Sequence, residues 1–251
     1  MLDEQGRKYR LITKKAYDPV KEVMLNPAIL NVAQYMNLIK TVGEDIVRAN
    51  YDQEPVDLKG KLYERFLTYN SADIKTPDNQ EGRIEFKEIR ARADVADLGS
   101  DYLCMIIYGV TRDNKAYILH IYYTQDPMET TEQEAAKILK QYEPYVFRPE
   151  SNNGGRGWSR AVEKLYKELG GTHVIFKPYT QTMNKESRIL TASPDVQNYI
   201  YFPDDWNVRY REFYTSMNEY QRQGKNEHDD AEDTVTAIAE EITNYRSFRL
   251  A

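Results

Sequence analysis

Acidic residues at three separate places in the chain are the best candidates for chemistry. Asp94 begins the segment DVADLGSD, Glu150 begins ESNNGG, and Asp229 and Asp230 follow His228 in HDDAED. Hydrolysis of a phosphodiester with two divalent ions needs several carboxylates that converge from different elements, because hard cations prefer oxygen ligands. The sequence therefore predicts a site for two Mg²⁺ or Mn²⁺ ions, with Asp230 favoured over Asp229 as the third ligand.

Each of these acids also has a structural interpretation. Asp at a strand end commonly serves a turn, and Asp before a helix commonly caps it. His228 is either a ligand, or a partner of the attacking water, or a solvated residue at a helix start. The hypothesis depends on the three acidic places occurring together, in the right order and on the right elements.

The elements that must position these acids follow from the hydrophobic pattern. Strand-like patterns cover Ile84–Ala93, Tyr102–Val110 and Ala116–Tyr123, and the short turn Arg112–Lys115 joins the last two as a hairpin. A helix pattern, the short strand pattern Tyr145–Glu150, a second helix and another strand follow.

This order predicts an α/β fold with an RNase H-like mixed sheet, in which the first three strands are antiparallel, the later strands are parallel and helices flank the sheet. In such a sheet the first and fourth strands are neighbours. Asp94 and Glu150 would then lie side by side at one sheet edge.

The domain organisation is expected to have three parts. Residues 1–70 form an N-terminal arm with a helical pattern over Pro27–Tyr51, residues 71–82 form a polar linker, and residues 83–251 form the nuclease-like domain.

Composition limits the classes of function. The chain has 251 residues, a net charge of −6 and a single cysteine, Cys104, which lies in an apolar run. Disulfides within the chain are excluded, and burial of Cys104 on a strand is expected. No run approaches the roughly 20 apolar residues of a membrane span, and the first residues lack a signal peptide's apolar core, so we expect a cytoplasmic protein that is neither secreted nor membrane-bound. The acidic charge argues against indiscriminate polyanion binding and requires a local basic surface for DNA.

With these motifs in view, residues Arg83–Ile242 resemble the C-terminal nuclease domain of bacteriophage terminase large subunits. That family carries an Asp in D-x-A-x-x-G-x-D, a Glu before an Asn/Gly-rich loop, and an H-D-D-A-x-D helix start. Here Val95 and Glu232 stand where proline is frequent, a difference in loop stiffness rather than in ligand chemistry. The resemblance implies a metal-dependent endonuclease for double-stranded DNA that leaves a 5′-phosphate. It also implies the terminase ATPase domain, the small subunit and the portal protein as partners, in the cytoplasm of the host cell.

Candidate DNA contacts also follow from the resemblance. Lys185 and Arg188 lie in a family-like stretch and are candidates for phosphate contacts, with a solvated helix face as the alternative. Arg156 and Lys225 are weaker candidates.

No G-x-x-x-x-G-K-[ST] motif occurs, so ATP hydrolysis by this chain is not expected. The arm resembles the region that joins motor to nuclease. The competing interpretations are another RNase H-like nuclease, of the resolvase or transposase type, and a non-catalytic module that docks a packaging motor on its portal.

Overall fold

The structure is a computed structural model that describes residues 14–19, 21–42, 47, 50–53, 60–95, 101–152, 155–223, 226 and 228–247. The chain divides into two compact units, residues 1–58 and residues 59–251. No helix among the described residues is long and apolar enough to cross a membrane.

The first unit contains a short antiparallel ribbon and a helix. Strands β1 (Tyr17–Asp18) and β2 (Val23–Met24) pair with each other, and helix α1 spans Val32–Val42. Met24, Tyr35 and Val47 form its small buried core. The described helix is shorter than the Pro27–Tyr51 pattern predicted, since residues 27–30 form turns and a bend; residues 43–46 and 48–49 lie outside the described part.

The second unit is built on a seven-stranded mixed sheet. Its strands are β3 (Leu67–Tyr69), β4 (Glu88–Asp94), β5 (Leu103–Val110), β6 (Ala116–Thr124), β7 (Val146–Pro149), β8 (Ile175–Phe176) and β9 (Ile200–Pro203). The helices are α2 (Met128–Tyr142), α3 (Gly155–Glu168), α4 (Lys185–Tyr199), α5 (Trp206–Arg209), α6 (Arg211–Glu219) and α7 (Asp230–Ser247).

The strand order is β3-β9-β6-β5-β4-β7-β8. Strands β4, β5 and β6 are antiparallel neighbours, whereas β7 pairs in parallel with β4, and β8 with β7. This arrangement confirms the predicted RNase H-like mixed sheet. The hairpin turn before β6 is also confirmed, because Asn114 has a positive φ of 57° and its N–H donates to Thr111 O.

Two parallel strands extend the sheet beyond the prediction. Strand β9 pairs with β6, and β3 pairs with β9 at the outer edge. Because β3 belongs to this sheet, the segment 71–82, predicted as a linker, lies inside the second unit between two strands of one sheet. It contains a 3₁₀ turn at Ser71–Asp73, and Ile74 bridges to Ile84.

Hydrophobic cores cover both faces of the sheet. Ala91, Ala93 and Phe147 point to the face covered by α2 and α3, where Trp158 and Val162 are buried. The other face packs against α4, α6 and α7, whose buried stripe includes Ile189, Met217, Val235 and Ile238. Cys104 is fully buried on β5, as predicted. Helix α2 begins at Met128, directly after Pro127 and two residues before the capping-box pattern of Thr130 and Gln133.

Candidate metal centre

The two strand-end acids lie on adjacent parallel strands. Asp94 is the last residue of β4, and Glu150 directly follows β7, where its N–H donates to Ala93 O at 2.8 Å. Since β4 and β7 are in register from Arg90↔Val146 onward, both carboxylates emerge at the same edge of the sheet. This part of the predicted site is the geometry that the sequence led us to expect.

The third carboxylate of this cluster belongs to Asp233. One ligand oxygen each from Asp94, Glu150 and Asp233 lies within 4.8 Å of the others. Asp233 is buried on the first turn of α7, and its N–H donates to Asp229 O at 2.8 Å. The motifs did not identify Asp233 as a ligand, although it is the final acid of HDDAED.

The residues favoured from the sequence occupy the rim of the cluster. Asp230 starts α7 and is buried, with its Oδ2 accepting from Tyr102 N at 3.1 Å and its Oδ1 lying 3.0 Å from Lys185 Nζ. Asp229 is more exposed and lies 2.8 Å from the same ammonium. The structure therefore places both acids around Lys185, and Asp233 rather than Asp230 joins Asp94 and Glu150.

Lys185 is the cation of the site. Its Nζ lies 3.1 Å from Asp94 Oδ2 as well as against Asp229 and Asp230. Burial opposes its charge, but the three carboxylates outweigh that effect and raise its pKa well above the ordinary lysine value. The side chain predicted as a phosphate contact thus bridges acids from two elements.

Crowding and burial of the acids disfavour their ionised forms. Burial raises the pKa of Asp94 to about 7, with Glu150, Asp233 and Asp230 adding to the effect and Lys185 opposing it. Burial also raises the pKa of Asp233 to about 6, against the lowering influence of Arg188 and Lys185. Without a bound cation, Asp94 and Asp233 therefore keep their protons to a higher pH than ordinary carboxylic acids do, as expected for like charges in a shared desolvated site.

Side chains from two different loops orient Glu150. Asn152 Nδ2 donates to Glu150 Oε1 at 2.6 Å, and Tyr179 Oη donates to Oε2 at 3.3 Å. The guanidinium carbon of Arg92 lies over the Tyr179 ring, 4.2 Å from the ring centroid. At Gly155 a Cβ would lie 2.2 Å from Glu150 O, so the loop closes against the site only with glycine there.

The position of Arg188 differs from the one expected for a DNA contact. Its side chain is buried, with Nη1 2.7 Å from Asp233 and Nη2 2.7 Å from Glu240. Because its guanidinium pairs with these two acids of α7, it is not available to a phosphate. It is not on a solvated helix face either. Arg156 is exposed on the first turn of α3, and Lys225 lies outside the described residues.

His228 lies apart from the three clustered acids. Its ring meets Tyr102 edge-on, with centroids 5.0 Å apart, and it lines a different cavity. Among the described residues, the group of side chains that could hold a metal ion does not include His228.

The cavity above the acids has a volume of about 270 Å³. Among the described residues, five carboxylates line it against one lysine: Asp94, Asp101, Glu150, Asp230 and Asp233 against Lys185. Asp94 Oδ2 is buried, and the Lys185 ammonium lies 3.1 Å from it. An all-oxygen donor set fits hard divalent ions such as Mg²⁺ or Mn²⁺.

The sequence matches no protein-family model and no curated protein. By structure, the chain is similar to the large terminase of a thermophilic bacteriophage, with a TM-score of 0.56 and 11% identity over 88% of this chain and 55% of that one. It is also similar to the nuclease domain of the large terminase subunit gp2 of bacterial virus Sf6 (TM-score 0.45, 8% identity, 68% and 93% covered) and to Thermus thermophilus RuvC (TM-score 0.40, 14% identity, 63% and 96% covered). The chain spans about half the length of the thermophilic phage's terminase, with which it shares its fold, and the resemblance suggested by the motifs is confirmed at that level.

Proposed function

We propose that this chain is a metal-dependent endonuclease that hydrolyses phosphodiester bonds of double-stranded DNA. The observation that carries the proposal is the cluster of Asp94, Glu150 and Asp233 oxygens within 4.8 Å, contributed by two neighbouring strands and one helix. Two ligands of one Mg²⁺ ion lie at most about 4.2 Å apart, twice the usual bond length of about 2.1 Å. Small side-chain adjustments would therefore bring the three oxygens onto one ion.

The excess of acidic side chains supports more than one ion. Among the described residues, five carboxylates line the cavity against Lys185, and Arg188 pairs with Asp233, so negative charge remains in excess that divalent cations would neutralise. Asp230 and Asp101 line the same cavity and supply further oxygens for the second ion.

When bound, the metal ions would activate a water molecule and stabilise the charge of the leaving oxygen. The residues of the chain do the rest. Asp94, Glu150 and Asp233 fix the position of the ions, while Asn152 and Tyr179 hold the Glu150 carboxylate in its rotamer. Lys185 balances the acids before metal arrives, and its exposed third keeps it within reach of a substrate phosphate.

The biological setting we propose is genome packaging by a bacteriophage, in the cytoplasm of the host cell. The fold shared with the large terminase of the thermophilic bacteriophage over 88% of this chain supports that setting. In it, the partners would be double-stranded DNA, a terminase ATPase domain, a small subunit and a portal protein. The nuclease domain would comprise residues 59–251, because strand β3 and the segment 71–82 belong to that unit, and residues 1–58 would form the arm.

Nicking of supercoiled plasmid in Mn²⁺ or Mg²⁺ tests the proposal. Glu150→Gln and Asp233→Asn should each lose cleavage at least 100-fold while their circular dichroism spectra stay unchanged, because each removes a ligand charge. Glu134→Gln, on the exposed face of α2, is the matched control and should cleave like the wild type.

Unchanged cleavage in both site variants would overturn the proposal. Calorimetry with Mn²⁺ separates it from a non-catalytic docking module, which would bind no ion. Comparison of linear duplex with a four-way junction separates a packaging nuclease from a resolvase, since a resolvase would prefer the junction.

A further inference from the structure

A second and larger cavity lies next to the metal centre. Its volume is about 650 Å³, and Tyr102, Tyr123, Tyr220 and His228 form part of its wall. Consecutive residues line the two cavities: Asp101 lines the metal cavity, and Tyr102 lines the larger one. The Tyr102 N–H donates to Asp230 Oδ2 at 3.1 Å, which fixes this wall to the carboxylates.

The wall of the cavity is aromatic and ordered by ring contacts. Tyr102 and Tyr123 stack with centroids 4.2 Å apart and an interplanar angle of 8°. His228 meets Tyr102 edge-on. All three rings are only partly buried, so they form a surface of the cavity and not the interior of the core.

The described residues of the remaining walls are polar and carry no positive excess. Thr215 and Gln221 contribute a hydroxyl and an amide, while Arg211 is accompanied by Glu212 and Glu219. A phosphate site would need an excess of positive charge. A neutral, planar group with hydrogen-bonding edges suits these walls better, and in DNA that group is a nucleobase.

The size of the cavity agrees with this occupant. Small-molecule sites commonly have volumes of about 300–1,000 Å³ and combine aromatic walls with a few polar groups. Enzymes that act within a duplex often accept an unstacked nucleotide in such a pocket, and the substrate must then supply the unpairing energy or arrive unpaired.

From this geometry we infer that the cavity walled by Tyr102, Tyr123 and His228 takes up an unpaired nucleobase of the DNA strand that is cut at the neighbouring carboxylate centre. The inference rests on the proposed nuclease function and adds a preference to it. DNA that carries an unpaired nucleotide beside the scissile phosphate should bind more tightly than fully paired DNA.

Photochemical crosslinking locates the base directly. A duplex with one unpaired 5-iodouracil, bound to the full chain in Ca²⁺ to suppress cleavage, should crosslink on irradiation to peptides that contain Tyr102, Tyr123, Tyr220 or His228. Crosslinks confined to other peptides would overturn the inference.

Binding measurements supply the matched test. Fluorescence anisotropy in Ca²⁺ compares a duplex that carries an unpaired thymine with the same duplex carrying an abasic site. Stacking of one base on aromatic side chains makes about a tenfold difference in affinity, or more. Thr215→Trp, which fills the mouth of the cavity, should abolish this difference, whereas Thr172→Trp, at an exposed position outside both cavities, should preserve it.

The outcomes separate the two proposals. Equal affinities in a protein that cleaves DNA with Mn²⁺ would overturn the base site alone. Base-dependent binding without any cleavage would support the base site and overturn the nuclease proposal. Loss of both would overturn both.

Discussion

Replacing the acid at the end of β4 should make the metal-free protein more stable at alkaline pH. The pKa of Asp94 lies at about 7 in the folded protein, against an ordinary value of 3.8, chiefly because the carboxyl is buried. Because folding raises this pKa, the protonated carboxyl stabilises the folded protein. That contribution to the free energy of unfolding is complete below about pH 4 and is lost as pH rises to about 7. This displacement corresponds to at most about 4 kcal/mol, at about 1.36 kcal/mol per pKa unit.

Asp94→Asn removes the ionisation and keeps the shape of the side chain. In EDTA at pH 8 we expect it to raise the free energy of unfolding by about 1–4 kcal/mol, which is several degrees in Tm for a unit of this size. The difference from the wild type should shrink as pH falls below 7 and largely disappear below about pH 4, because Asp94 is then protonated in both the folded and the unfolded chain.

Urea unfolding and calorimetric melting across pH 4–8 measure the effect. Saturating Mn²⁺ should stabilise the wild type by about 3 kcal/mol at a hundredfold excess over Kd and should leave Asp94→Asn nearly unchanged. Asp113→Asn is a control for which the change in the free energy of unfolding at pH 8 should have the opposite sign. Despite some burial, hydrogen bonds from Thr111 and Lys115 lower the pKa of Asp113. An Asp94→Asn protein less stable than the wild type at pH 8 in EDTA would refute the reasoning.

Three further changes test the neighbours of the site. Lys185→Ala should destabilise the metal-free protein by about 3 kcal/mol at pH 8, because it leaves buried carboxylates unpaired, and Mn²⁺ should recover most of the loss in a melting assay. Tyr179→Phe removes a hydrogen bond to Glu150 and should raise the Mn²⁺ concentration for half-maximal nicking about tenfold; an unchanged titration would contradict this role. Glu241→Gln leaves the arginine cluster on β4 without its carboxylate and should cost about 3–5 kcal/mol in urea unfolding, whereas a loss below about 1 kcal/mol would argue against a buried ion pair there.

The sequence predicted the central sheet because its signals there are local. The hairpin turn at Arg112–Lys115 and the long apolar runs on both sides determine the antiparallel pair of β5 and β6. Strands β3 and β9 were missed for the converse reason. Each is three or four residues long, and they pair in parallel across more than a hundred residues of chain, so no local pattern identifies them.

The site was predicted in part. Asp94 and Glu150 end strands, and the position of a strand end follows directly from where the apolar pattern stops. Asp233 was missed because the choice among acids on the first turn of a helix depends on how that helix is rotated against the sheet. Arg188 was misassigned because a charged residue on a helix is usually solvated, and burial beside Asp233 and Glu240 depends on a helix distant in sequence.

The polar face of β4 explains how the acids and α7 stay in register. Side chains alternate along a strand, so Arg90, Arg92 and Asp94 point to the same face, which α7 covers. Glu241 lies 2.6 Å from Arg90 and 2.7 Å from Arg92.

Four residues of strand span about 13 Å, and the eight residues from Asp233 to Glu241 rise about 12 Å along a helix. The two lengths match, so the ion pairs at Glu241 and the cluster of Asp233 with Asp94 form together when α7 runs antiparallel to β4. The buried arginines therefore set the position of the helix that delivers the third carboxylate. The charged face of β4, which alternates with its apolar face, is therefore covered by α7 and positions that helix instead of meeting solvent.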